Sequence, residues 1–109
     1  MLPDRMAEVS RLDVEDFDTF RRAEPRPFLL DVRNPGEVEQ GAVDGHVHIP
    51  LNELPFRLAE VPKDRDTLIY CGSGYRSSIA MSLLEAHGHG RLTDLIGGWA
   101  AWAGAHVEA

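Results

Sequence analysis

A chain of 109 residues has room for one hydrophobic core, so a single domain over residues 1–109 is the expectation. With 43% hydrophobic and 27% charged residues it has the composition of an ordinary globular protein, which excludes a disordered or fibrous chain. Eighteen acidic against 11 basic side chains give a formal charge of −7, and so acidic a chain lacks the positive field that nucleic acid or an anionic membrane requires.

Ser10–Leu12 reads as a short edge strand. Asp13 is placed to cap a helix with an acidic first turn, Glu15 and Asp16, and with Val14, Phe17 and Phe20 spaced by three. Pro25 and Pro27 end that helix. Phe28–Val32 is a short apolar run bounded by turn signals, the pattern of a strand covered on both faces. Asn34-Pro35-Gly36 is read as a turn. Val47–Ile49 makes a second short strand closed by Pro50, and Asn52 stands as N-cap of a helix through Leu54, Leu58 and Ala59 with Pro55 in its first turn. Asp66–Tyr70 is rich in β-formers and runs into Cys71-Gly72-Ser73-Gly74-Tyr75-Arg76-Ser77. A helix follows with Ile79, Ala80, Leu83, Leu84 and His87 on one face and Gly88 as its stop. Leu92–Ile96 is the next strand, and Gly97-Gly98 opens a last helix carrying Trp99 and Trp102. This alternation predicts an α/β fold, a mostly parallel central sheet with helices on both sides.

The longest uninterrupted apolar run, Trp99–Ala103, is far too short to span a bilayer. Acidic residues stand near the N-terminus where a secretory signal would be apolar. A lone cysteine rules out an internal disulfide and a Cys-rich zinc site. The expectation is a cytoplasmic protein with one thiol, no metal, and no nucleic-acid or membrane partner.

That thiol occupies a telling position. In open α/β sheets, sites lie beyond the carboxyl ends of the strands, and Cys71 directly follows one. Gly72 and Gly74 are free to take backbone angles closed to other residues, so the loop can turn successive N–H groups towards the sulfur as an anion-binding nest. The N-terminus of the following helix adds its partial positive charge. Both favour a reactive sulfur anion. Arg76 is the only formal charge between Asp66 and Glu85, and its guanidinium is suited to hold an oxyanion against that sulfur. Ser73 and Ser77 supply hydroxyl donors nearby, and Tyr75 either walls the pocket or lies over the loop. Asp31 and Arg33 read as structural support, an ion pair fixing the segment around Asn34–Gly36.

Leu30-Asp31-Val32-Arg33 with Glu37, the stretch from Gly41 to Leu51, Cys71–Ser77, and Ile96–Trp99 with Trp102 together resemble the single-domain rhodaneses, the thiosulfate sulfurtransferase family. The resemblance runs from the first helix to Trp102. It implies a three-layer α/β/α fold, no cofactor, and a ping-pong reaction through a persulfide on Cys71. Sulfane sulfur would pass from thiosulfate or a persulfide to a thiol or to cyanide, with residues 72–77 as the anion cradle. Four residues separate Cys71 from Arg76, as in rhodaneses with a six-residue loop. Phosphatases of the same fold place one more residue there to enclose a phosphate or arsenate, so a phosphatase or arsenate reductase is the weaker alternative. A sulfur-carrier or protein-interaction module without turnover of its own is the other. The chain departs from the family pattern in having Ala42 where a histidine is usual, with His46 further on, and in having Gly72 where a basic residue is frequent. The first change bears on local hydrogen bonding; the missing basic residue at Gly72 weakens the positive field and favours a thiol-bound persulfide over thiosulfate. The Cys71–Ser77 string is similar to rhodanese domains fused to, or working beside, persulfide dioxygenases, which makes such an enzyme or a thiol-carrier protein the expected partner.

Overall fold

The computed structural model describes residues 8–73 and 75–106. Five strands, β1 (Glu8–Leu12), β2 (Phe28–Asp31), β3 (Val47–His48), β4 (Thr67–Tyr70) and β5 (Arg91–Leu95), form one sheet in the order β1-β5-β4-β2-β3. Every neighbouring pair is parallel. Three α-helices lie between strands, α1 (Val14–Arg21), α2 (Pro35–Glu39) and α3 (Tyr75–Ala86), and α4 (Gly98–Ala105) follows β5. All four residues of β4 are buried, as a central strand covered on both faces must be.

Side chains on a strand alternate between faces, and the core divides accordingly. Leu68 and Tyr70 join Leu29, Val43 and Leu95 in packing with Phe17 of α1 and Trp102 of α4. Ile69 and Cys71 belong to the opposite layer, with Leu30, Val32, Ile49 and Leu54 and with Ala80, Met81 and Leu84 of α3. The parity of β4 therefore sends the side chain of Cys71 to the α3 side of the sheet.

Several expected elements have different bounds or character. Asn34–Gly36 is not an isolated turn: it starts α2, with Pro35 at the first helical position and the Glu37 carboxylate accepting the Asn34 N–H at 3.0 Å. In place of a helix capped by Asn52 there are two 3₁₀ turns, Leu54–Phe56 and Leu58–Glu60. Prolines 55 and 62 leave too little chain between them to propagate an α-helical ladder. The inward face of α3 is Ser77, Ala80, Met81 and Leu84, whereas Ile79 and His87 are exposed. Hydrogen bonds made by Ser77 at the start of the helix draw that polar residue inside and rotate Ile79 out. β5 stops at Leu95, leaving Ile96 half-exposed. The Asp13 cap is present, its carboxylate accepting the Asp16 N–H at 2.9 Å, and Gly88 takes a left-handed φ of +102° after α3.

Candidate active site at Cys71

Cys71 follows β4 and has no accessible surface. Its Sγ accepts the backbone N–H of Ser77 at 3.3 Å. The first four amides of an α-helix have no partner within the helix, and Ser77 is the third residue of α3, so the sulfur takes the place of a capping group. A negative charge on the sulfur lies at the positive end of that helix.

The other side of the loop is fastened to α4. The carbonyl oxygens of Cys71 and Gly72 accept the N–H groups of Trp99 at 2.6 Å and Ala100 at 3.0 Å. In a trans-planar peptide the N–H points opposite to the C=O, so the amides of Gly72 and Ser73 face away from α4. Gly98 makes this approach possible. A β-carbon there would lie 2.5 Å from the Cys71 carbonyl oxygen, and its φ of +60° suits glycine. Gly72 serves for its small size rather than for a left-handed backbone. A β-carbon on it would lie 2.7 Å from the nearer Arg76 guanidinium nitrogen and 3.2 Å from Glu37 Oε2. Gly74 lies outside the described residues.

The guanidinium of Arg76 is already engaged. Its two terminal nitrogens donate to the two carboxylate oxygens of Glu37 at 2.6 and 2.9 Å, a bidentate pair packed against Gly72. The hydrogen bonds to Arg76 pull the Glu37 carboxyl down to about 2 and raise Arg76 above its ordinary value. Ser77 meets the sulfur through its amide, since its hydroxyl donates to Asp94 at 3.0 Å. Ser73 is exposed, and Tyr75, at the first position of α3, is 73% exposed.

Beneath this loop Arg33 and Asp31 form a fully buried pair. The Arg33 guanidinium donates to both Asp31 oxygens, at 2.7 to 3.2 Å, and to the carbonyls of Gly41 at 2.7 Å and Glu37 at 3.4 Å. It lies 4.7 Å from the Trp99 ring centroid and 5.4 Å from that of Tyr70. Burial, countered in part by the Val43 N–H that the Tyr70 oxygen accepts, raises the phenol above its ordinary value. His46 and His48 each turn a ring nitrogen to a backbone carbonyl, of Val43 at 3.0 Å and of Arg33 at 2.6 Å.

Two carboxylates of this neighbourhood were not assigned a role from sequence. Glu37 carried a signal, lying three residues after a capping asparagine, but its bond to Arg76 spans 39 positions of chain. Asp94 lies within an otherwise largely apolar buried strand, where an acid requires partners. Those partners are Ser77 and the Arg11 guanidinium at 2.9 Å.

A family model described as the rhodanese-like domain matches residues 13–105. Over 76 residues the chain is 45% identical to a sulfurtransferase of Allochromatium vinosum, covering 70% of this chain and 71% of the relative. Among solved structures, reduced CoADR-RHD of Bacillus anthracis superposes with a TM-score of 0.79 and 35% identity over 87% of this chain, which corresponds to 16% of that much longer one. A rhodanese-related protein of Thermoplasma volcanium superposes with a TM-score of 0.81 and 25% identity, covering 91% of this chain and 95% of the other.

Proposed function

Because this chain belongs to the family of rhodanese-like domains, we propose that it is a sulfurtransferase whose single cysteine carries the sulfur in transit. The observation that carries this reading is the amide of Ser77 directed at Cys71 Sγ. A preorganised N–H stabilises charge on sulfur without a metal and without rearranging when the charge develops.

In the first half-reaction the sulfur anion of Cys71 attacks the outer sulfur of a donor such as thiosulfate. The donor's S–S bond breaks, sulfite leaves with the electron pair, and a persulfide remains on Cys71. In the second, an acceptor thiolate or cyanide takes the terminal sulfur and frees Cys71. Splitting one transfer into two displacements is covalent catalysis. Gly72 and Ser73 turn their amides away from α4, Ser77 holds the anion, and Arg76 with Glu37 borders the loop at Gly72. Asp31 and Arg33 act as support under it. Cys71 has no accessible surface, so a donor must displace part of its cover to reach the sulfur.

Intact mass measurement after incubation with thiosulfate or an organic persulfide tests the reading. A gain of one sulfur atom, reversed by a reductant and absent in Cys71→Ala, is the expected result, and no gain with either donor overturns it. Steady release of sulfite from thiosulfate in the presence of a thiol identifies a thiosulfate sulfurtransferase. A stable persulfide without turnover identifies a sulfur carrier.

A further inference from the structure

Arg76 is the one basic residue between Tyr70 and Ser77, and a thiosulfate dianion entering this site would rely on it. Both of its terminal nitrogens are bound by Glu37, and a Glu37 oxygen lies 3.2 Å from the position a β-carbon would have on Gly72, the neighbour of the nucleophile. Arg33, a second guanidinium near the loop, is buried and committed to Asp31 and to two carbonyls, and Arg11 is paired with Asp94. Around Cys71 each of these guanidiniums is therefore paired with a carboxylate. Such a setting offers a compact dianion no uncommitted positive charge and favours a donor without one.

We propose that Glu37 is a specificity-determining residue that, by neutralising Arg76 beside Gly72, selects organic persulfides, R–S–SH, over thiosulfate as sulfur donors. This rests on the reading of Cys71 as the sulfur-carrying residue. The Cys71 sulfur anion attacks the terminal sulfur of R–S–SH and forms the new S–S bond as the donor's own S–S bond breaks. The electron pair leaves with the R–S sulfur, which takes up the proton of the transferred sulfur and departs as R–SH. The step is a balanced exchange with no external oxidant or reductant. It places no sulfonate against the carboxylate of Glu37.

Glu37→Gln removes the negative charge and keeps an amide oxygen to accept from the Asn34 N–H and from Arg76. The experiment measures loading of Cys71 by thiosulfate and by 2-hydroxyethyl persulfide, through intact mass and initial rates, in the wild type and in Glu37→Gln. In the wild type the persulfide loads faster. In Glu37→Gln the ratio of thiosulfate to persulfide kcat/KM rises about tenfold, equivalent to about 1.4 kcal/mol. A purely structural role for Glu37 would slow both donors alike and leave that ratio where it was, which overturns the proposal. Should Glu37→Gln lose its native circular dichroism, the wild type decides: thiosulfate loading at least as fast as the persulfide also overturns it. Failure of both donors to load Cys71 is a different result and removes the underlying reading instead.

Discussion

The buried Arg33–Asp31 pair is the residue-scale feature with most at stake. Removing one member of a fully buried ion pair leaves the other charged and unpaired, at a cost of about 3–5 kcal/mol. Arg33→Met is therefore expected to lower unfolding stability by that order, read from urea titration, and to free the carbonyl of Gly41. Thr67 presents the opposite case. Its hydroxyl is buried with no hydrogen-bond partner, so the isosteric Thr67→Val removes a desolvated polar group and is expected to raise stability by about 1 kcal/mol. Reduced stability in that variant would mean the hydroxyl does have a partner. At this scale the position of Cys71, after a strand and beside the start of a helix, was legible in sequence, because the signals that place it lie within six residues. The partner of Arg76 was not, because only the fold brings residue 37 to residue 76.

The elements differ in how far local sequence determined them. α1 and the stop of α3 follow from Asp13 and Gly88, whose side-chain and backbone properties act within one turn. Of the face expected for α3, Ala80, Leu83 and Leu84 pack inward while Ile79 and His87 are exposed, because apolar residues surround the helix. A buried polar residue, Ser77, sets the orientation through bonds to Cys71 and Asp94. The sheet order was not legible either, since pairing of β1 with β5 joins the two ends of the sequence. α4 supplies the element-scale prediction. Gly98→Ala sets a β-carbon 2.5 Å from the Cys71 oxygen at a φ of +60°, so the helix must retreat from the loop. Loss of stability together with slower sulfur loading is expected, measured by thermal unfolding and intact mass. Gly104→Ala in the same helix meets nothing within 4 Å. That change is expected to add up to about 1 kcal/mol of stability, and equal behaviour of the two variants would refute the clamp.

For the whole molecule the Arg76–Glu37 bridge links the first turn of α3 to α2, which follows β2, and so makes stability depend on pH. The folded Glu37 carboxyl is depressed from 4.5 to about 2, first by its hydrogen bonds to Arg76. A depressed carboxyl contributes stability that is present above its unfolded value and lost as pH falls through its folded one. The stabilising effect of this bridge is therefore complete above about pH 4.5 and disappears towards pH 2. Glu37→Gln should flatten the decline of the urea midpoint within that window and leave its shape near neutrality unaltered. An unchanged slope between those limits would assign the acid sensitivity to other carboxylates.

The grip of Trp99 and Ala100 on the carbonyls of Cys71 and Gly72 also bears on how the chain matures during synthesis. Cys71 is made well before the residues that orient its loop. Until α4 leaves the ribosome, the sulfur rests on a segment whose peptide planes are free to turn. The backbone geometry around Cys71 is thus completed late in translation, after the thiol itself has been made.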